Sequence, residues 1–167
     1  SLPLPRSVGV LSDDEILCAQ VSDEIQRDES ALFEAISEQL PVGCTISEVY
    51  LKEGKFKLQA AGACYRFMLK ISSINDRLLS NIDRVADACE KKVPLIVRRQ
   101  SGKKKAKDVD VSRYLERVRI EKESVYLDVL ITPGGSVRVD EMLEILELET
   151  VDLAEPVKRV SVKWVEK

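Results

Sequence analysis

The fold is decided by residues 65–91, which read YRFMLKISSINDRLLSNIDRVADACEK. The first part, Tyr65 to Ile71, has the apolar and aromatic content of a β-strand. Ser73-Ile74-Asn75-Asp76 follows as a capping box with aspartate in place of the usual glutamate. Apolar residues then recur at helical spacing up to an expected helix end near Lys91, namely Ile74, Leu78, Ile82, Val85 and Cys89. The stretch therefore predicts a strand followed directly by an amphipathic helix.

The residues downstream of this helix predict the rest of an α+β unit. Pro94 to Val97 is typical of a strand, and residues 115–120 and 125–132 alternate as an antiparallel pair. Residues 139–148 predict a helix whose inward side chains are Met142, Leu143, Ile145 and Leu146. Residues 157–165 predict a closing strand. The order β-α-β-β-β-α-β indicates a ferredoxin-like unit, or split βαβ arrangement, with an extra strand or an elaborated hairpin.

The residues upstream predict a second unit of the same kind, truncated at its N-terminus. Glu15 to Val21 favours a strand, and residues 32–40 favour a helix that carries Phe33 as a core residue and ends at Pro41-Val42-Gly43. Thr45 to Leu51 favours another strand. We therefore divide the chain into residues 1–54, the remainder of a first ferredoxin-like unit, residues 55–64, a connector, and residues 65–167, a second ferredoxin-like unit. The predicted fold class is α+β.

Composition and residue usage exclude several classes of protein. The chain is 44% hydrophobic and 33% charged, as in globular proteins, with no apolar run of membrane-spanning length and no signal-peptide pattern. Its four cysteines are far apart and it has no histidine. This spacing is wrong for a structural zinc site, and the absence of histidine disfavours catalysis by this chain alone. We expect a cytoplasmic protein whose cysteines are buried thiols, with no metal site and no catalytic residues.

The charge distribution singles out one segment. Residues 1–50 contain ten acids against two arginines, whereas residues 91–107 contain eight bases and no acid. We call residues 98–107 the basic arm and expect a hairpin there. Its cations could bind RNA phosphates or an acidic protein face, or could form a solvated loop that protects a hairpin edge. The candidate binding residues are Arg98, Arg99, Lys103, Lys104, Lys105 and Lys107.

Two further motifs have competing interpretations. The Pro133-Gly134-Gly135-Ser136 turn precedes a helix, so its N–H groups could hold an anion. A simple turn, with Ser136 or Asp140 capping the helix, is the favoured interpretation. Asp108 and Asp110 alternate along a strand, where they could bind a cation or an arginine, although ordinary ion pairs with the nearby lysines are favoured.

Three segments together resemble a known bacterial family. They are Ser1-Leu2-Pro3-Leu4-Pro5 with Gly9-Val10, Thr132-Pro133-Gly134-Gly135 with Asp140, and Asp110 with Tyr114. The chain is similar to the radical-SAM-linked domain of unknown function, and the matching positions are Leu2, Pro3, Pro5, Gly9, Asp110, Tyr114, Gly134, Gly135 and Asp140. Ser112 and Arg113 depart from the family pattern, which has arginine and proline there.

The resemblance implies a partner and an upstream segment. Members occur beside or fused to radical S-adenosylmethionine proteins, so it implies a non-catalytic module that docks such a protein or presents its substrate. The partner would carry the iron–sulfur cluster and S-adenosylmethionine, because the cysteines here do not form the three-cysteine cluster motif. It also implies an upstream part with two histidine motifs, which this sequence lacks. An RNA-binding module that uses the basic arm is the alternative.

Overall fold

The computed structural model describes Leu4 and residues 7–21, 28–54, 57–100 and 105–166. These residues form a five-stranded sheet, a separate two-stranded hairpin and three α-helices, which confirms the α+β class. The elements in chain order are β1 (Leu11–Ser12), α1 (Glu29–Gln39), β2 (Leu58–Met68), α2 (Asp76–Lys91), β3 (Ile96–Arg99), β4 (Lys107–Asp110), β5 (Leu115–Glu121), β6 (Ser124–Leu130), α3 (Val139–Leu146) and β7 (Lys158–Glu166).

The large sheet has the order β1-β7-β2-β6-β5. Its last four strands are antiparallel to their neighbours, and the two-residue β1 is added parallel to the edge of β7. Helix α2 lies in the chain between β2 and β5, and α3 lies between β6 and β7. The hairpin β3–β4 is inserted between α2 and β5, at the place where the sequence predicted an extra strand or an elaborated hairpin.

The core lies between the sheet and helices α2 and α3. Phe67 of β2, Leu127 of β6 and Met142 of α3 are fully buried in it. Removing a buried phenylalanine side chain costs about 3–5 kcal/mol, so Phe67 is a major contributor to stability. Both helices have the apolar side that their sequence spacing predicts, with Leu78, Ile82, Val85, Ala88 and Cys89 of α2 and Met142, Ile145 and Leu146 of α3 buried.

The predicted capping box at the start of α2 is wrong. Asn75 is the N-cap, and its side-chain oxygen accepts a hydrogen bond from the Leu78 N–H at 3.0 Å. The Ser73 hydroxyl instead donates to the Asp152 carboxylate at 2.9 Å. Asn caps as well as Ser does, and the N-cap lies two residues later than predicted.

The predicted connector also needs correction, because β2 begins at Leu58 and takes in residues 58–64. This central strand pairs with β6 on one edge and with β7 on the other. A Cβ on Gly62 would lie 2.9 Å from the Val129 carbonyl oxygen, so glycine marks a close approach within the sheet there. The division of the chain into two units stays a prediction.

The N-terminal part contains less regular structure than predicted. Helix α1 is confirmed, but no strand forms within the described residues 13–21 and 44–53. Residues 10–15 are instead held along β7. The Leu11 and Asp13 N–H groups donate to the Val157 and Arg159 carbonyls, and Asp14 accepts from the Val162 N–H. Among the described residues, no helix is both long and apolar enough to cross a bilayer.

Candidate interaction surfaces

A buried ion pair holds the root of the basic arm. Arg99 donates from Nε to Glu141 Oε1 at 2.5 Å and from Nη2 to Glu141 Oε2 at 2.6 Å. The side chains of Arg99 and Glu141 are only 13% and 4% exposed. Arg99 Nη2 also donates to the Ser136 carbonyl, and Arg138 Nη1 donates to the Gln100 carbonyl. Strand β3 is therefore attached to the start of α3.

These contacts divide the predicted cations of the arm into two groups. Arg99 is largely buried in its ion pair with Glu141, so its assignment as a phosphate-binding residue is wrong. Arg98, Lys105 and Lys107 are exposed and stay candidates for binding. Lys103 and Lys104 lie outside the described residues.

Three of the family-motif residues meet at the same root. The Tyr114 hydroxyl donates to the Gly134 carbonyl at 3.2 Å and lies 3.5 Å from the position of a Cβ on Gly135. Gly135 has φ 128°, which disfavours any residue with a side chain. Tyr114, Gly134 and Gly135 therefore pack together, although Tyr114 and Gly135 are 21 positions apart.

At the start of α3, where an anion could bind, the chain supplies a carboxylate of its own. The Glu141 carboxylate accepts a hydrogen bond from the Arg138 N–H at 2.8 Å. Burial alone would raise the pKa of Glu141, but the hydrogen bonds from Arg99 and Arg138 outweigh it and lower the pKa. Ser136 donates to the Leu130 carbonyl and Asp140 is exposed, so neither is the predicted cap. The helix N-terminus is thus already neutralised.

The predicted aspartate pair does not act as a unit. Asp110 Oδ1 accepts from the Leu95 and Ser112 N–H groups at 3.1 and 3.0 Å. Asp108 is exposed on β4, opposite Arg98. Asp110 is therefore a local structural residue of the turn after β4. Within the described residues, no three His, Cys, Asp or Glu side chains are placed to hold a metal ion.

The family-motif residues at the start of the chain lie far from this cluster in sequence. Gly9 occupies a turn with φ 80°, ahead of β1. Leu2, Pro3 and Pro5 lie outside the described residues. The nearby Leu4 packs against the core, and its carbonyl accepts from Arg159. Arg159 is 1% exposed and pairs with Glu15 at 2.6 Å, so it anchors this segment to β7.

Helix α1 has an apolar side that is left half-exposed. None of its eleven residues is buried, and Leu32, Phe33 and Ile36 are intermediate in exposure. The expectation that Phe33 is a core residue is therefore wrong. Beside it, Tyr50 is 76% exposed. We define the α1 surface as Glu29, Leu32, Phe33, Glu34, Ile36, Glu48, Val49 and Tyr50.

The α1 surface contains a shallow groove of about 370 Å³ with acidic edges. Its lining includes the side chains of Phe33, Val49 and Tyr50 together with Glu29, Glu34 and Glu48. The Tyr50 hydroxyl donates to Glu48, and this hydrogen bond raises the pKa of Tyr50. Glu29 accepts from the Leu51 N–H at 2.8 Å, which joins the two walls of the groove.

A second surface, which the sequence analysis missed, is the side of the sheet opposite α2 and α3. Residues that pair directly across strands share one side, so Arg66 lies beside Tyr126 and Lys158, and Cys64 lies beside Asp128 and Ser161. We define the open sheet face as Cys64, Arg66, Glu116, Arg117, Arg119, Glu121, Tyr126, Asp128, Lys158, Ser161 and Lys163. Its cations come from three strands, β2, β5 and β7, so no local run of sequence marks them.

The cysteines differ in exposure, which corrects the expectation that all are buried. Cys64 and Cys89 are buried, Cys18 is intermediate and Cys44 is exposed. Burial, aided by Asp128, raises the pKa of the Cys64 thiol to about 11 despite the nearby Arg119. Cys64 is therefore a poor nucleophile at neutral pH.

Comparison with known proteins assigns the family. Residues 1–151 match the family described as an uncharacterised protein conserved in bacteria, DUF2344. The chain belongs to this family. No curated protein and no solved structure matches it. The family description names no ligand or partner, so the radical-SAM association stays a prediction.

Proposed function

We propose that this DUF2344 chain is a cytoplasmic, non-catalytic docking module that binds a radical-SAM protein through its α1 surface. The partner would carry the iron–sulfur cluster and S-adenosylmethionine. The observation that supports docking is the half-exposed apolar side of α1. The resemblance of the motif segments supports the choice of partner.

Helix α1 has only eleven residues. An isolated helix of eleven residues is marginal in water, and most helices are stabilised by packing of an apolar side. Here Leu32, Phe33 and Ile36 supply that side, yet no residue of α1 is buried by the rest of the described chain. A partner that covers them would supply the missing packing and remove apolar area from water.

The groove edges define the chemistry of that partner. Glu29, Glu34 and Glu48 surround the apolar floor. A complementary surface would carry an apolar anchor, such as an aromatic or aliphatic side chain, with arginine or lysine around it. Charge complementarity of this kind speeds association and suppresses wrong partners.

The test is a titration of the chain with the radical-SAM protein encoded beside it, followed by calorimetry. Phe33→Ser should weaken binding about tenfold or more if Phe33 anchors the contact. Glu34→Lys should also weaken binding of the partner, and this loss should be larger at low salt than at high salt. Leu79→Ser is the matched control, because Leu79 is a 42% exposed apolar residue on α2.

Two results would contradict the proposal. One is equal binding by the Phe33→Ser and Leu79→Ser variants, with α-helical circular dichroism unchanged in both. The other is loss of partner binding when the chain is extended upstream, since that would show the α1 surface to be covered within the protein itself.

RNA binding by the basic arm is a second candidate. It is supported by the clamped root of the hairpin, which presents Arg98, Lys105 and Lys107 to solvent. Changing Lys103, Lys104 and Lys105 to glutamate should abolish salt-sensitive RNA binding. Changing Lys57, Lys70 and Lys122 to glutamate makes the same change in charge elsewhere and should have little effect. Equal effects of the two triple variants would contradict a role for the arm.

A further inference from the structure

We propose that two copies of this chain associate, with the basic arm of each copy bound in the α1 groove of the other. Each chain has one arm and one groove, so the exchange can be reciprocal and closes a dimer of two-fold symmetry. We take the α1 surface to be a docking surface, so this inference rests on the proposed function and adds the regulation of that surface. A second copy in the groove would compete with the radical-SAM protein.

The groove carries negative charge that the described chain does not balance. Residues 28–53 contain six acids and one base, and no cation among the described residues lines the groove. Glu29, Glu34 and Glu48 are exposed, and none of them forms an ion pair with a described residue. Glu29 accepts from a backbone N–H and Glu48 from a tyrosine hydroxyl, so these hydrogen bonds leave both charges uncompensated.

The basic arm carries the complementary charge. Arg98, Lys105 and Lys107 are exposed, and none of them forms an ion pair with a described residue. The exposed acid of the same hairpin, Asp108, lies opposite Arg98 in the ladder. Three exposed cations against one carboxylate leave an excess of positive charge, and residues 101–104 add two lysines to it. An acidic groove and a basic arm on one chain are therefore matched in charge.

The root of the arm is fixed before any contact with a second copy. The ion pair of Arg99 with Glu141 and the hydrogen bond from Arg138 to the Gln100 carbonyl attach it to α3. Binding then orders fewer groups, so more of the contact energy remains as affinity. No described residue of the arm lines the groove of its own chain, which leaves that groove open to the arm of another copy.

The floor of the groove suits the side chains of lysine and arginine. Tyr50 is 76% exposed and Phe33 is half-buried. The methylene stem of a lysine packs on apolar surface of this kind while its ammonium group stays in water beside the carboxylates. A cation over the face of the Tyr50 ring adds an electrostatic attraction. The arm can therefore cover the apolar floor without an apolar anchor of its own.

The test is sedimentation velocity of the chain alone at increasing chain and salt concentrations. The wild-type chain should dimerise, and added salt should weaken the dimer because it screens exposed charges. Groove reversal, Glu34→Lys with Glu48→Lys, should weaken the dimer at least about tenfold, because like charges then face each other. Arm reversal, Arg98→Glu with Lys105→Glu and Lys107→Glu, should do the same. A chain with all five changes should dimerise more tightly than either parent variant, because its groove is then positive and its arm negative.

A matched control separates the contact from net charge. Changing Lys57, Lys70 and Lys122 together to glutamate makes the same change in charge at exposed positions outside the arm, and should leave the dimer unchanged. The proposal is overturned if the wild-type chain stays monomeric, or if arm reversal weakens the dimer no more than this control does. Failure of the five-fold variant to recover dimerisation would also overturn it.

Addition of the radical-SAM protein distinguishes this inference from the proposed function. The wild-type dimer should dissociate as the partner is added, and arm reversal should leave partner binding intact because the α1 surface is unchanged. Dimerisation without partner binding would contradict only the proposed function. Partner binding by a chain that stays monomeric, or by a dimer that persists, would contradict only this inference.

Discussion

Arg99 and Glu141 form a two-pronged ion pair that joins the hairpin β3–β4 to the first turn of α3. Both side chains are largely withdrawn from solvent. The Glu141 carboxylate accepts a hydrogen bond from the Arg138 N–H at the start of α3. Its ion pair with Arg99 fixes the root of the basic arm at the same time. Arg99 also donates to the Ser136 carbonyl, which links the hairpin to the residue after the Gly134-Gly135 turn.

Breaking this pair should be costly. Glu141→Ala leaves the Arg99 charge buried without its partner, and we expect a loss of about 3–5 kcal/mol in the free energy of unfolding, measured in urea. The exposed pair of Lys91 and Asp87 is the control, and Lys91→Ala should cost no more than about 1 kcal/mol. Similar losses in the two variants would show that the Arg99–Glu141 pair has no special role.

The same pair should make stability depend on acid pH. The pKa of Glu141 is lowered from its ordinary 4.5, so its contribution is fully present above that value and is lost as pH falls through the lowered pKa. We expect the difference in unfolding free energy between the wild type and Glu141→Gln to be largest near neutral pH. It should shrink as the pH drops below 4.5. A difference that stays constant into strong acid would contradict this assignment.

The adjacent glycines should respond differently to alanine. Gly135 has φ 128° and faces the Tyr114 hydroxyl, so Gly135→Ala should destabilise by about 1–3 kcal/mol. A Cβ on Gly134 would meet only ordinary contacts, at 3.6 Å from the Thr132 hydroxyl. Gly134→Ala should therefore be close to neutral. Thermal unfolding of both variants checks the contrast. Equal shifts in Tm would argue against the positive φ of Gly135 in this turn.

The thiols should differ in alkylation rate. Cys44 is exposed, whereas Cys64 is buried and has a pKa raised to about 11. Iodoacetamide at mildly alkaline pH, followed by peptide mass spectrometry, should modify Cys44 long before Cys64. Cys44→Ser should abolish the fast reaction. Fast labelling of Cys64 in the folded protein would contradict its described environment.

Local periodicity was enough to predict the helices and the β5–β6 hairpin. The spacing of Leu78, Ile82 and Val85 predicted α2, because apolar residues three or four positions apart lie on the same side of a helix. Gly62 misled the prediction, since glycine often marks a boundary but here permits close pairing inside β2.

Contacts between distant segments could not be predicted in this way. Arg99 and Glu141 are 42 positions apart, and nothing in the basic run distinguishes Arg99 from Arg98. Strand alternation in β3 places the two arginines on opposite sides, and the packing of α3 decides which one is buried. The open sheet face was missed for a related reason. Arg66, Arg117 and Lys163 are far apart in sequence and share one side of the sheet only when the strands pair. The sequence showed that α1 is amphipathic, but it could not show that its apolar side has no neighbour.

The most direct test of the docking account is hydrogen exchange of the chain alone and with a radical-SAM protein, its proposed partner, followed by mass spectrometry. We predict that the amides of α1 and of residues 48–51 exchange rapidly in the free chain, because none of α1 is buried. They should become protected when the partner is added, while α2 and β2 change little. Protection confined to other segments, or none at all, would contradict docking through the α1 surface.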